Sequence, residues 1–332
     1  MNPAAVLVTG GAGYIGAHVV LALRDAGRPV VVLDDLSTGL AEAVPPEVLL
    51  IRGSTGDTAL VRHIFRRHGI GAVMHLAGSL VVGESLITPL AYWRNNVANT
   101  LSLVEACVAE GVRRLVFSST AAVYGVGDGA PVTEDAPCHP INPYGASKLA
   151  AEKLLQQAAS AHGLAVVALR YFNVAGADAL GRAGQRNRYA THLIKVACEA
   201  ALGRREAVAV FGQDYDTPDG TGVRDYIHVS DLARAHVAAL RHLSDGGGSL
   251  LLNCGYGRGH SVADVVRAVE RAAGCIVRLL PEPRRAGDPP SLIACNRRIR
   301  AVLDWRPEFD NLEQIIASAL TWERRSEKPG QL

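Results

Sequence analysis

The first regular pattern in the chain is VLVTGGAGYIG, residues 6–16. It begins with β-branched and apolar residues typical of a buried strand, and the residues that follow have the apolar spacing of a helix. Gly10, Gly13 and Gly16 lie in the turn between them. Glycines at this place let the backbone amides of a helix N-terminus approach a pyrophosphate. A plain strand-to-helix turn has similar glycines, so neighbouring residues must distinguish the two.

An acidic residue at the end of the second strand favours the dinucleotide interpretation. The segment PVVVLDD, residues 29–35, places Asp34 about 20 residues beyond the glycines, where a carboxylate accepts from the hydroxyls of an adenosine ribose. Asp34 and Asp35 would repel a 2′-phosphate, and no arginine follows immediately. The cofactor predicted from these residues is NAD rather than NADP.

Short apolar segments alternate with helical patterns as far as Asn173. Strands apolar on both faces, alternating with helices, predict a parallel sheet covered on both sides, that is, a Rossmann-like doubly wound α/β fold. The predicted strands are 5–10, 29–35, 47–53, 72–78, 113–120 and 164–173. The predicted helices are 14–27, 58–69, 89–111 and 144–162.

The pattern changes after Asn173, where loops lengthen and glycine and proline become frequent. We therefore predict an NAD-binding domain over residues 1–175 and a smaller mixed α/β domain over residues 176–332, which binds the substrate. Residues 225–254 contain a further helix and strand that we expect to rejoin the first sheet.

The composition narrows the range of partners. Lys plus Arg is 34 and Asp plus Glu is 32, and this near balance argues against nucleic acid or a membrane surface as the main partner. No uncharged apolar segment approaches the ~18 residues of a membrane span, and no signal peptide is evident. The six cysteines lack metal-ligand spacing, which predicts no metal site and buried, reduced thiols in a cytoplasmic protein.

A tyrosine and a lysine stand four residues apart in NPYGASKLAAEK, residues 142–153. At this spacing the side chains of Tyr144 and Lys148 share one helical face and can point into the same space. Taken alone, the pair is also compatible with an ordinary exposed helix.

Several motifs together resemble the extended short-chain dehydrogenase/reductase family over nearly the whole chain. These are the glycine turn, HLAG, FSSTAAVYG and YGASK. Within that family, the segments VVGES, RYFNVAGA, VFGQDYDTPDGTGVRDYIHVSDLA and RRAGDPP are similar to those of UDP-sugar 4-epimerases. The resemblance implies an NAD-dependent isomerase that interconverts UDP-glucose and UDP-galactose through a transient 4-keto sugar.

The resemblance also implies roles for individual residues. Tyr144 is the expected base and acid, Lys148 is expected to lower its pKa, and Thr120 is expected to hydrogen-bond the 4-oxygen of the sugar. Family members that eliminate water carry Asp-Glu where this chain has Ala121 and Ala122, so dehydration is not expected.

The family pattern implies two sets of binding residues. Those expected to bind the cofactor are Gly10, Gly13, Tyr14, Ile15, Gly16, Asp34, Asn95, Lys148 and Phe172. Those expected to bind the UDP-sugar are Thr120, Asn173, Leu193, Phe211, Arg224, Tyr226, Arg285 and Asp288. Guanidinium groups pair bidentately with phosphate oxygens, as expected for the two arginines. The family also implies a homodimer formed through helices 89–111 and 144–162.

Some positions depart from the family pattern. Leu80 replaces a common lysine, and Ser54 and Thr55 replace an acidic and an aliphatic residue near the adenine. His192 replaces a common asparagine at the nucleotide, and Leu292 is intermediate in size where bulk decides whether an N-acetylated sugar fits. Two alternatives thus stay open: a 4-epimerase of a UDP-N-acetylhexosamine, UDP-pentose or UDP-uronate, and a non-catalytic NAD-sensing protein.

Overall fold

The first half of the chain alternates strand and helix. The computed structural model describes residues 4–127, 129–186, 191–285 and 288–325, so the end of the second predicted domain and two residues of RRAGDPP lie outside the described part. The elements of this half are β1 (Ala5–Thr9), α1 (Tyr14–Asp25), β2 (Val30–Asp34), β3 (Leu49–Arg52), α2 (Thr58–His68), β4 (Ile70–His75), α3 (Val82–Ile87), α4 (Pro89–Trp93), α5 (Asn99–Glu110), β5 (Arg114–Thr120), α6 (Pro143–His162) and β6 (Ala165–Tyr171).

The second half contains shorter and more mixed elements. They are β7 (Asn173–Ala175), α7 (Leu193–Ala201), β8 (Val208–Phe211), β9 (Val223–His228), α8 (Val229–Ser244), β10 (Leu250–Cys254), β11 (Gly259–Ser261), α9 (Val262–Ala273), β12 (Leu279–Glu282), β13 (Ser291–Leu292), α10 (Arg297–Leu303) and α11 (Leu312–Arg325).

Seven parallel strands form the main sheet, in the order β10-β6-β5-β4-β1-β2-β3. Alternate residues of each strand face opposite sides. Val6 and Val8 therefore join the core beneath α1 and α8, whereas Leu7 joins the core beneath α2, α5 and α6. Both faces of the sheet are covered by helices, and the predicted Rossmann-like α/β class is confirmed.

The chain leaves the main sheet earlier than predicted. The apolar segment 164–173 was expected to form one strand, but β6 ends at Tyr171 and β7 starts at Asn173 in a different sheet. In that second sheet β9 pairs with β7, β11 and β13. Composition cannot reveal this break because both strands are apolar.

The segment 225–254 divides between the two sheets. Its first residues belong to β9 in the second sheet, whereas α8 covers the main sheet and β10 pairs in parallel with β6. A small parallel pair, β8 with β12, completes the strands of the second half.

The predicted helix 89–111 is divided by a π-helical turn. The turn covers Arg94–Ala98 and lies between α4 and α5. A π turn adds one residue to a helical turn, so it changes which side chains face inward. Here it places Asn96 in the interior, 2% exposed.

The cysteines are unpaired, but not all of them are buried. Three are buried: Cys107, Cys198 and Cys254. The prediction of six buried thiols is wrong for the other three, which are partly exposed: Cys138, Cys275 and Cys295. Of the helices in the described ranges, none combines the length and apolar character needed to cross a membrane.

Burying Leu169 in the centre of β6 should contribute strongly to stability, because its side chain is fully enclosed. We expect Leu169→Ala to lower the free energy of unfolding by about 2–5 kcal/mol. Leu180→Ala is the matched control, since Leu180 is 73% exposed and its truncation should change little. Denaturant titration of both variants measures the difference, and equal losses would contradict the assignment of Leu169 to the core.

A buried histidine fastens α8 to β5. His236 Nε2 lies 2.8 Å from Ser118 Oγ, and His236 Nδ1 lies 2.9 Å from the carbonyl oxygen of Leu232. A carbonyl only accepts, so Nδ1 carries the proton and Nε2 accepts from the serine. Burial lowers the pKa of His236 to about 4.

This histidine makes stability depend on pH. The unfolded ring has a pKa near ~6.5, so below that value the unfolded chain binds one more proton and unfolding becomes easier, down to the folded pKa of about 4. Over this range the contribution of His236 lowers the free energy of unfolding by about 1.4 kcal/mol for each pH unit of acidification. We expect His236→Gln to reduce the pH dependence of the unfolding free energy by about this amount between pH 6.5 and 4. Denaturant unfolding across that pH range measures the effect. Parallel curves would show that His236 does not titrate as described.

Candidate active site

The carboxyl ends of the parallel strands meet at one edge of the main sheet. Thr9 ends β1, Asp34 ends β2, His75 ends β4 and Thr120 ends β5. Ligands of doubly wound sheets bind at this edge. The predicted cofactor and catalytic residues therefore share one region of the fold.

The glycine turn after β1 is tightly packed against its neighbours. Gly10 has a φ of +72°, and a Cβ on it would lie 2.6 Å from the backbone nitrogen of Ala77. A Cβ on Gly16 would lie 2.0 Å from the carbonyl oxygen of Gly10, and Gly13 is the N-cap of α1. The turn thus requires glycine for close backbone approach, which is the geometry suited to a pyrophosphate at a helix N-terminus.

Asp34 holds the same turn in place. One carboxylate oxygen accepts from the backbone N–H of Ala12 and the other from that of Leu36, both at 2.9 Å. Burial raises the pKa of Asp34 above its ordinary value, and the two amides oppose that shift. Each oxygen keeps a free lone pair, so the carboxylate still fits a ribose hydroxyl.

The first residues of α1 are engaged with the rest of the protein. The Tyr14 hydroxyl donates to the carbonyl oxygen of Gly176 at 2.7 Å, and burial raises the pKa of Tyr14. Ile15 packs against the larger core cluster. These contacts join the glycine turn to the point where the chain enters its second half.

The start of α6 is held against the end of β5. Asn142 caps the helix by accepting from the backbone N–H of Gly145 at 2.8 Å. A Cβ on Gly145 would lie 2.4 Å from the carbonyl oxygen of Ala122. This contact brings Tyr144 beside Thr120, whose hydroxyl is close enough to influence the pKa of the phenol.

Burial disfavours the charged forms of Tyr144 and Lys148. Burial raises the pKa of Tyr144, and the Thr120 hydroxyl partly opposes this. Lys148 is 6% exposed, and burial lowers its pKa to about 7. The expected lowering of the Tyr144 pKa by Lys148 therefore requires that this lysine keep its proton in its buried position.

A loop after β4 lies next to the lysine and depends on an asparagine that the motifs did not reveal. Asn96 accepts from the backbone N–H of Ser79 at 2.8 Å and donates to Ser147 Oγ on α6 at 3.0 Å. The predicted cofactor residue Asn95 donates to Ser79 Oγ at 3.0 Å. Two adjacent polar residues in a helical segment were the available signal for Asn96.

The structure brings several predicted substrate residues together around β9. Asn173 pairs in register with Tyr226, whose pKa is raised by burial. Arg224 Nη2 lies 3.7 Å from Asp288 Oδ1, and Arg224 pairs in register with Leu292. The arginine side chain also donates to the carbonyl oxygen of its neighbour Val223 at 2.8 Å.

Two further predicted residues form a separate pair. The Arg285 guanidinium lies 3.6 Å from the centre of the Phe211 ring. Leu193 begins α7 and packs against the core cluster that contains Tyr226. Among the described residues, no hydrogen bond or ion pair joins the Phe211–Arg285 pair to Arg224.

A small apolar cluster connects the catalytic end of the sheet with the substrate side. Phe172 is 7% exposed and lies between β6 and β7. It belongs to the same cluster as Ala121 and Val123, and Leu292 packs against that cluster. The residue expected to influence sugar size thus lies next to the segment that follows Thr120.

The remaining departures have local explanations. Leu80, where the family pattern has lysine, is 53% exposed. Ser54 Oγ accepts from the backbone N–H of Gly56 at 3.1 Å, and Thr55 is buried. His192 Nδ1 lies 2.7 Å from Gln185 Nε2. Within the described ranges, no cluster of acidic, histidine and cysteine side chains is arranged to hold a metal ion.

The fold and this site together define a class of protein. The family model described as the NAD dependent epimerase/dehydratase family matches residues 6–255, and the chain belongs to that family. The predicted family resemblance is confirmed. The glycine turn and the Asp34 carboxylate fit the dinucleotide that this family uses, so NAD is the cofactor.

Individual relatives are similar over nearly their full length. A UDP-glucose 4-epimerase of Azospirillum brasilense is 60% identical over 97% of this chain and 93% of its own. The solved UDP-glucose 4-epimerase of Brucella ovis in complex with NAD is 44% identical, with a TM-score of 0.93 over 96% of this chain and 98% of its own. That of Bifidobacterium longum, in complex with NAD+ and UDP, is 37% identical, with a TM-score of 0.92 over 97% and 98%.

The close approach at Gly10 generates a prediction about cofactor binding. We expect Gly10→Ala to weaken NAD binding about tenfold or more, equivalent to about 1.4 kcal/mol, because the added methyl group pushes the turn away from Ala77. Gly27→Ala is the matched control: Gly27 has a similar φ of +68°, but nothing lies within 4 Å of its added Cβ. The NAD content of the purified variants and NAD titration of stripped protein measure the effect. Similar losses in both would point to backbone strain alone.

Proposed function

We propose that this protein is a UDP-glucose 4-epimerase that interconverts UDP-glucose and UDP-galactose and retains NAD through the cycle. The observation that carries the proposal is Tyr144 lying beside Thr120, with Lys148 one helical turn away, at the carboxyl edge of a dinucleotide-binding sheet. The full-length similarity to enzymes of this activity supports the same conclusion.

The chemistry at the sugar needs a proton acceptor and a redox partner. NAD, held at the glycine turn and by Asp34, supplies the capacity to take the C4 hydride and to return it. Tyr144 Oη takes the proton of the 4-hydroxyl as the 4-keto sugar forms, and later returns it to the 4-oxygen. Thr120 Oγ hydrogen-bonds the same oxygen. The hydride would return to the opposite face of C4 and the proton to the 4-oxygen, so nothing is consumed overall.

Tyr144 needs nearby positive charge to act as this base. Its pKa is raised by burial, and even an ordinary phenol near pKa ~10 needs a decrease of ~3 units, or about 4 kcal/mol, to act at neutral pH. One protonated lysine at ~6 Å in an effective dielectric near 20 supplies roughly 2.8 kcal/mol. Protonation of Lys148 is therefore a condition for activity.

The second half of the chain supplies the groups suited to UDP. Arg224 and Arg285 offer guanidinium groups for the diphosphate, each placed by a separate contact, with Asp288 and with the Phe211 ring. Asn173 and Tyr226 lie side by side on neighbouring strands. Leu193 at the start of α7 completes the proposed set, and Leu292 is the side chain proposed to limit the size of the sugar.

We further propose a homodimer in the cytoplasm. Of the two helical segments expected to pair, 89–111 exposes large apolar side chains, with Leu90 78%, Trp93 41% and Leu101 45% exposed. A second copy of the same face would cover them in an isologous contact. Free cysteines fit a reducing compartment. Sedimentation velocity of the purified protein tests the dimer, and a monomer at micromolar concentration would refute it.

The activity is tested by incubating the purified protein with UDP-galactose, without added cofactor, and following the products by NMR. We expect UDP-glucose to form, and Tyr144→Phe to lower kcat by about 10²–10⁴-fold because the proton acceptor is lost. Tyr215→Phe is the matched control, since its buried hydroxyl has no hydrogen-bond partner within the described structure.

The outcomes separate the alternatives. Conversion only after NAD is added would show weak retention of the cofactor, while leaving the activity as proposed. Absence of conversion with NAD present, together with turnover of UDP-N-acetylglucosamine, a UDP-pentose or a UDP-uronate, would replace the proposed substrate. NAD binding without turnover of any UDP-sugar would indicate a sensing protein.

A further inference from the structure

A buried carboxylate continues the line of catalytic side chains on α6. Glu152 follows Lys148 by four residues, as Lys148 follows Tyr144, and is 9% exposed. Its Oε1 accepts from Arg170 Nε at 3.0 Å and from Ser119 Oγ, and its Oε2 accepts from Arg170 Nη2 at 2.6 Å. The carboxylate is thus held by β5 and β6, directly behind Thr120.

Lys148 lies in a nearly dry environment with little to balance its charge. Its Nζ lies 4.2 Å from the centre of the Phe117 ring, whose face favours a cation. The ion pair of Glu152 is with Arg170, and in the described structure no carboxylate forms an ion pair with Lys148. Burial lowers the pKa of Lys148 to about 7, and the charge of Glu152 opposes that decrease.

The other titratable groups around the lysine do not supply a negative charge. On β4, burial and the charge of Lys148 lower the pKa of His75 to about 3, so its ring is neutral. On α6 and β6, burial raises the pKa values of Tyr144 and Tyr171, which keeps both phenols neutral near pH 7. Arg170 is positive and faces Glu152.

We propose that Glu152 is a positioning residue that keeps Lys148 protonated in the active site through its electric field. This inference rests on the proposed function, in which a protonated Lys148 is needed for Tyr144 to act as a base. Arg170 and Ser119 hold the carboxylate by three hydrogen bonds, and within the described residues Glu152 forms no hydrogen bond or ion pair with Lys148. The lysine keeps its three donors for the cofactor and substrate side of the pocket.

The lysine content of the chain allows a direct measurement. The sequence contains only Lys148, Lys153, Lys195 and Lys328, so protein labelled with ¹³C at the lysine ε-carbon gives few NMR signals. Lys148→Met identifies the signal of interest. Titrating the NAD-bound protein then reports the pKa of Lys148 without any turnover, so the result does not depend on whether the protein epimerises UDP-galactose.

We expect Glu152→Gln to lower the titration midpoint of Lys148 by about 1 pH unit, the size expected for one charge a helical turn away in a partly buried setting. Glu134→Gln is the matched control. Glu134 is also buried, but its carboxylate accepts from the backbone N–H of Asn253 on β10 rather than from Arg170. In the Glu134→Gln variant the titration midpoint of Lys148 should equal that of the parent protein.

The pH profile of kcat/KM gives the second measurement. In Glu152→Gln we expect the alkaline limb, where Lys148 loses its proton, to move to lower pH by the same amount. If that variant does not fold, the double variant Glu152→Gln with Arg170→Gln replaces the buried ion pair by two amides, and its Lys148 midpoint should still fall below that of the parent. An unmoved midpoint, or an equal shift in Glu134→Gln, would overturn the proposal.

Discussion

The contact between the start of α6 and the end of β5 is the constraint on which the active site depends. The backbone of Gly145 approaches the carbonyl oxygen of Ala122 so closely that no side chain fits between them. Once that contact is made, helical geometry determines the positions of Tyr144, Lys148 and Glu152, each one turn after the last. A small displacement of this helix would separate the phenol from Thr120 and the carboxylate from Ser119.

Burial is the second property that the site depends on, and it favours the neutral forms of Tyr144, Lys148 and His75. It raises the pKa of Tyr144 and lowers the pKa values of Lys148 and His75, so each neutral form is favoured. A dry pocket strengthens charge interactions during the reaction, but it also opposes the ionised forms that start it. The chain therefore needs charge placed near the lysine, and the ion pair between Glu152 and Arg170 is the buried charge closest to it along α6.

Three connections join the two halves of the chain around this pocket. The Tyr14 hydroxyl reaches Gly176, the Phe172 cluster packs beside Leu292, and β10 returns to the main sheet next to β6. The chain changes sheet at Phe172, a few residues before the boundary predicted near residue 175, and it returns to the main sheet in α8 and β10. The residues proposed to bind the sugar nucleotide and the proposed catalytic tyrosine are therefore connected through shared packing.

The sequence by itself determined the features that depend on neighbours along the chain. The glycine turn, the alternation of strands with helices and the spacing of Tyr144 and Lys148 are local, and they were sufficient to predict the fold class, the family and NAD. Tertiary structure decided the contacts between residues far apart: the break after Tyr171, the place of Asn96 beside Ser147, and the pairing of Glu152 with Arg170. The physical reason is that hydrophobic periodicity records which face of an element is buried, but not which buried polar group it meets there.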